Sequence, residues 1–333
     1  MRRLALLALL AACGGDDGGG PIAIDDLEGA VINAYCNLYV HCGLIDDAAT
    51  CRMLDLDLDA DESLIEAVNA GKVIYHADLA GECLASISAS CSVAQLDRND
   101  DTAACEATFE GTVAAGGQCA MNEECVSQSC DVPSCPDACC QGTCVGDAPT
   151  PRPKVGEACG GTASYNCVDS YCDSIASVCK AYVADGQPCT SSSECDNGLC
   201  GADQLCTSLP GPGDACDLTT GESQCGEIGY TCSATSGTCV AVGLTGDACT
   251  TERDCSGIYT CGASGTCELG PQLGDACNVQ GPPGDCIDRS FCEPTTMVCT
   301  APKPAGAACQ SSSECIDDCD FATSTCTKPP ICI

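Results

Sequence analysis

Apolar residues along this chain follow two different rhythms, and the change comes near residue 116. Over residues 22–115 the rhythm is helical. Leu27, Val31, Ala34 and Leu38 are spaced to share one helix face, Asp25-x-x-Glu28 stands where a cap is expected, and Gly43 supplies a stop. Ser63-Leu64-Ile65-Glu66 has the form of a capping box before a short helix ending near Gly71. Ala77 to Ala89 then places Leu79, Cys83, Leu84 and Ile87 on one face. These residues predict a small all-α N-terminal domain. Its six cysteines, Cys36, Cys42, Cys51, Cys83, Cys91 and Cys105, are enough for three internal bridges, with the pairing left open.

From residue 116 onward the apolar rhythm gives way to a repeat of about 30 residues. A glycine stands three residues before the first cysteine of each unit: Gly116/Cys119, Gly156/Cys159, Gly186/Cys189, Gly213/Cys216, Gly246/Cys249, Gly274/Cys277 and Gly306/Cys309. These glycines read as tight turns that need positive φ. An acid immediately precedes the second cysteine at Glu124, Glu194, Asp254, Asp285 and Glu314. Residues 116–147 form a seven-cysteine unit, 148–154 a Pro-rich linker, and 155–333 six four-cysteine units with a short tail. The six sets are Cys159, Cys167, Cys172 and Cys179; Cys189, Cys195, Cys200 and Cys206; Cys216, Cys225, Cys232 and Cys239; Cys249, Cys255, Cys261 and Cys267; Cys277, Cys286, Cys292 and Cys299; Cys309, Cys315, Cys319 and Cys326.

Units this small cannot bury enough surface to fold unaided, and a bridge closing a loop of about 15 residues contributes roughly 3 kcal/mol in the chain-entropy model. The expectation is a tandem array of small disulfide-rich modules with little regular secondary structure beyond short β-hairpins. Four cysteines can close in three ways, of which first-with-third and second-with-fourth is preferred here.

The cysteine count changes the picture twice. Thirty-nine cysteines in 333 residues call for an oxidising compartment, and the odd number calls for one cysteine with another task. Residues 1–12, MRRLALLALLAA, form a signal-peptide pattern too short to span a bilayer. The tetrad Leu10-Ala11-Ala12-Cys13 resembles the bacterial lipobox, which implies cleavage before Cys13 and acylation of that residue. Residues 13–21 then read as a lipidated cysteine with a flexible tether, making the membrane a partner through the anchor. Lipidation of Cys13 leaves 38 cysteines, although Cys332 and the odd set of seven in the first unit still have no obvious mates.

Loss of residues 1–12 removes two arginines and no acid, so the formal charge moves from −36 to −38. Such a polyanion cannot build the basic surface that nucleic acid requires, so nucleic acid is no partner.

The stretch Cys119-AMNEE-Cys125-VSQS-Cys130-DVPS-Cys135-PDA-Cys139-Cys140-QGT-Cys144, followed by units containing DSYC, GLC and RSFC, resembles the Dickkopf N-terminal cysteine-rich pattern. In tandem that pattern occurs in cysteine-rich surface lipoproteins of myxobacterial type, and YCNLYVHCGL with NAGKVIYHADLAGECL is similar to the domain preceding those repeats. The resemblance implies a bacterial cell envelope location, lipid-anchored at the outer membrane or cell surface.

Catalytic motifs are missing: there is no Gly-x-Ser-x-Gly, His-Glu-x-x-His or phosphate-binding loop. The two histidines read as a helix-end cation at His41 and a surface or capping residue at His76. No two cysteines are separated by two residues, which removes zinc-ribbon and thioredoxin-like spacings. Calcium is the one metal candidate. Asp55, Asp57, Asp59, Asp61 and Glu66 occupy positions 1, 3, 5, 7 and 12 of an EF-hand-like loop, although Ala60 replaces the turn glycine and a solvated acidic loop is the plainer reading. Tyr171, Tyr230, Tyr259 and Phe291 stand just before the third cysteine of their units. They are either covers for the disulfides or a row that binds an extracellular protein or glycan. The sum is a non-enzymatic surface lipoprotein with a structural or adhesive role. The alternatives are an unrecognised activity in the helical domain or a cysteine-rich inhibitor of secreted hydrolases.

Overall fold

The computed structural model describes residues 20–54, 62–87, 90–93, 102–133, 140–148, 152–160, 167–196, 198–217, 225–278 and 286–328. In the N-terminal region α1 (Leu27–His41) packs on α4 (Ala77–Ile87), and together they bury Leu38, Cys42, Leu84 and Ile87. A 3-10 turn at Ile24–Asp26 leads into α1, so the chain is already coiled at Asp25 and no side chain caps the helix. At the far end Gly43 adopts φ +71, its N–H reaches the Val40 carbonyl, and the Leu44 N–H reaches that of Tyr39. That double closure is a Schellman motif, and Gly71 repeats it after α3 (Glu62–Asn69) with bonds to Val68 and Ala67. α3 starts at Glu62, which puts Ser63, the cap expected from the sequence, inside the first turn.

The short helix α2 (Ala48–Met53) is capped by Asp47, whose carboxylate accepts the Ala49 and Thr50 N–H groups. The Thr50 and then the Ala49 N–H hold this carboxyl below the usual range. Three bridges staple the head. Cys36–Cys51 joins α1 to α2, Cys42–Cys91 joins the end of α1 to the chain beyond α4, and Cys83–Cys105 joins α4 to α5 (Ala103–Glu106). The region also carries one ribbon, β1 (Val73–Tyr75) antiparallel to β2 (Phe109–Gly111), with the Tyr75 and Phe109 rings 5.3 Å apart.

The array is a succession of small bonded modules. In the first unit β3 (Gln118–Cys119), β5 (Gly142–Cys144) and β4 (Cys130–Asp131) make a three-stranded sheet in that order. Cys119–Cys130 and Cys125–Cys144 hold it; Cys140 is bonded as well, while Cys135 and Cys139 lie outside the described residues. Each later unit is one antiparallel hairpin: β6/β7 (Tyr171–Asp173, Val178–Lys180), β8/β9 (Gly198–Cys200, Cys206–Ser208), β10/β11 (Tyr230–Cys232, Cys239–Ala241), β12/β13 (Tyr259–Cys261, Cys267–Leu269), β14/β15 (Phe291–Glu293, Val298–Thr300) and β16/β17 (Asp318–Asp320, Thr325–Thr327).

The third and fourth cysteines face each other across every hairpin, yet each bonds backward into the preceding loop. The pairs are Cys159–Cys172 with Cys167–Cys179, Cys189–Cys200 with Cys195–Cys206, and Cys216–Cys232 with Cys225–Cys239. Cys249–Cys261 with Cys255–Cys267, Cys277–Cys292 with Cys286–Cys299, and Cys309–Cys319 with Cys315–Cys326 complete the set. First with third and second with fourth thus holds in all six. All seven unit glycines take positive φ, and each donates its N–H to the carbonyl of the last cysteine of its unit.

Two kinds of unit alternate along the array. Units one, three, five and seven have five residues between the first two cysteines and carry a 3-10 turn there: Asn122–Glu124, Ser192–Glu194, Glu252–Asp254 and Ser312–Glu314. The acid before the second cysteine closes that loop. Glu124, Glu194, Asp254 and Glu314 each accept the N–H of the residue after the first cysteine. Units two, four and six have seven or eight residues in the same place and anchor differently. The residue after their second cysteine donates to a proline carbonyl, Val168 to Pro153, Gly226 to Pro210 and Ile287 to Pro271. The structural period is therefore two units, about twice the spacing of the glycines.

Candidate binding surface

Residues far apart in sequence bring the array back onto the helical head. Unit four lies along the segment after α4: Ser92 pairs antiparallel with Glu227, Val93 N–H donates to the Gly226 carbonyl, and Ile228 N–H to that of Cys91 at 2.8 Å. Ile228 packs against the Leu38, Cys42, Leu84 and Ile87 core, so an array residue helps complete the head. Gly229, at φ +80, lies so close to Cys42 that an added Cβ would sit 2.0 Å from its carbonyl oxygen.

Unit five covers the α1–α2 corner. Ser256 Oγ donates to the Leu44 carbonyl, Thr245 Oγ1 to the Asp46 carboxylate, and Asp46 N–H to the Tyr259 hydroxyl at 3.0 Å. Ile258 packs against the cluster of Cys36, Ile45 and Cys51. Unit six touches the head through the bridge of Leu54 with Asp288. Ion pairs hold the remaining margins: Lys72 to the fully buried Glu124 of unit one, Arg152 of the linker to Glu106, and Lys328 beyond unit seven to Glu62. Head and array thus share one packed interface.

The aromatic row divides under this arrangement. Tyr259 and Phe291 are buried, at 3% and 5% exposure, whereas Tyr171 and Tyr230 are only partly so. Tyr259 plugs the contact with the head, and the Lys303 ammonium lies 5.2 Å over the Phe291 ring. Burial pushes the Tyr259 hydroxyl up to about 12, with the Asp46 N–H acting against the rise. The folded protein holds that proton more tightly than the unfolded chain, so docking of unit five is at full strength below pH 10.0 and weakens as pH rises toward about 12. Titration followed at the phenolate absorbance should show one tyrosine of the eight ionising last, and Tyr259→Phe should remove only that step. If all eight ionise together near the ordinary value, the buried contact is absent.

The other sequence candidates fall as follows. Cys13, Asp55, Asp57, Asp59, Asp61 and Cys332 lie outside the described residues, and Glu66 sits within α3. His41 is exposed in the last turn of α1; His76 precedes α4, accepts the Ala80 N–H with its carbonyl, and lies 3.2 Å from Glu110. Sulfurs do cluster within each unit, as at Cys189, Cys195 and Cys206, all within 4.8 Å. They are the two stacked bridges of that unit, and a bonded sulfur offers no thiolate to a metal. The interface residues Asp46, Gly229 and Ile228 carry no signature in their local sequence. The alternation of units does, in the five-residue against seven- or eight-residue spacing of the first two cysteines.

No family model matches the chain and no solved structure matches it. Part of the chain is similar to the mouse protein disintegrin and metalloproteinase domain-containing protein 12, 36% identical over 103 residues, covering 28% of this chain. The chain spans 11% of that relative's length. Disulfides in the number this chain carries form in an oxidising compartment.

Proposed function

We propose that this chain is a bacterial surface lipoprotein, anchored through Cys13, whose role is binding or structural and not catalytic. The Dickkopf-like cysteine frame and the lipobox-like tetrad belong to this reading, as does an extracellular protein or glycan as partner. The observation that carries it is the construction of the array. Each unit is built from two stacked bridges, a glycine turn and short antiparallel strands, and the array closes on the head. Such modules display surface at little cost in core, and repetition multiplies weak contacts.

Detergent-phase partitioning of the full-length protein, with mass analysis of its N-terminal peptide, tests the anchor. The wild type should enter the detergent phase with Cys13 acylated and become labelled on intact cells, while Cys13→Ser should stay in the aqueous phase. An unmodified Cys13 peptide from membrane-extracted protein would overturn the reading.

A further inference from the structure

We propose that the junction of units two and three binds a neutral oligosaccharide through the rings of Tyr171 and Tyr182 and the polar groups around them. The inference rests on the binding role above and gives it a place and a ligand class. Tyr171 on β6 and Tyr182 just beyond β7 hold their rings 6.3 Å apart at 32°, and both are only partly buried. Elsewhere in the row Tyr259 meets the head, Phe291 lies beneath Lys303, and Tyr230 packs on the bridges of its own unit.

Around the pair stand fixed polar groups of both kinds. The Asp173 carboxylate is ion-paired with Lys180 and accepts the Ile175 and Ala176 N–H groups, each at 2.9 Å. Glu194 closes its own loop through Thr190, and Glu194, Lys180 and Asp173 all act electrostatically on the Tyr171 hydroxyl. At the tip of the same hairpin Ile175 is 93% exposed, although its backbone is pinned by Asp173. Its side chain is left almost wholly unburied by its own unit.

These groups match one chemistry. The C–H face of a pyranose stacks on a tyrosine ring, and its hydroxyls both donate to carboxylates and accept from an ammonium. The formal charge of −36 disfavours sulfated, uronic or phosphorylated ligands, which leaves neutral sugars.

The experiment uses full-length, disulfide-intact protein titrated with cellohexaose, chitohexaose and maltohexaose, with polygalacturonate as the anionic comparison and a basic apolar peptide as the other ligand class. At least one neutral probe should shift the amide resonances of Tyr171, Lys180 and Tyr182. Tyr182→Ala should weaken that probe by about tenfold or more, and Tyr182→Phe should retain it. Ile175→Ser, at a site exposed enough to leave folding untouched, should weaken it about threefold. The site is overturned if no neutral probe binds the wild type, if Tyr182→Ala binds as well as wild type, or if polygalacturonate or the peptide binds instead. Each of those results leaves the lipid anchor, measured separately by partitioning, standing.

Discussion

Gly229→Val is expected to release unit four from the head while leaving both bridges of that unit intact. At φ +80 an L side chain adds strain of about 1–2 kcal/mol, and the new Cβ would sit 2.0 Å from the Cys42 carbonyl oxygen, which is backbone and cannot swing aside. The contact that yields is the one between modules, because Cys216–Cys232 and Cys225–Cys239 hold the unit internally. Hydrogen exchange reads this directly. The amides of Val93 and Ile228, which donate across the interface, should lose protection, while those of Gly213 and Cys239, which bond within the unit, should keep it. Gly257→Val, where an added Cβ meets nothing within 4 Å, is the matched control and should leave all four unchanged. A Gly229→Val protein whose Ile228 amide exchanges as slowly as wild type would show that the two modules do not dock as described.

What the sequence made legible is what local chemistry decides. Glycine at positive φ and the cysteine frame are short-range devices, and Gly246, for instance, needs only the Cys267 carbonyl of its own unit. Gly43 and Gly71 ended their helices because a left-handed residue is demanded there and nothing distant competes. The helix starts were less legible. Asp25 could cap α1 only if the chain before it were extended, and a 3-10 turn occupies that place instead.

Docking was illegible for a different reason. Asp46 meets Tyr259 across 213 residues of sequence, and Ile228 joins a core whose other members precede residue 92. Neither position differs in kind from its neighbours in the sequence. The two-unit alternation was present in the cysteine spacing. A period of about 30 absorbs it, because glycine and first cysteine recur identically in both kinds of unit.

Removing Cys42–Cys91 by the paired change to serine should be the most damaging loss of any head bridge. This bridge closes a loop of 49 residues, against 15 for Cys36–Cys51 and 22 for Cys83–Cys105. Chain entropy alone assigns it about 4 kcal/mol, compared with about 3 kcal/mol for Cys36–Cys51, against a domain stability of about 5–15 kcal/mol. A second loss follows from position. Unit four grips this bridge at both ends, through the Cys91 carbonyl that accepts Ile228 N–H and the Cys42 carbonyl beneath Gly229. Freeing the chain at Cys91 therefore also withdraws Ile228 from the core it shares with Leu38 and Leu84. Urea unfolding followed by far-ultraviolet circular dichroism, which reads mainly the head helices, should move to lower urea for Cys42→Ser/Cys91→Ser than for Cys36→Ser/Cys51→Ser. Protection of the Ile228 amide should vanish in the first variant and persist in the second. Equal losses in the two, with Ile228 protected in both, would mean that the head holds its core without the array, and that the bridge acts on the unfolded chain alone.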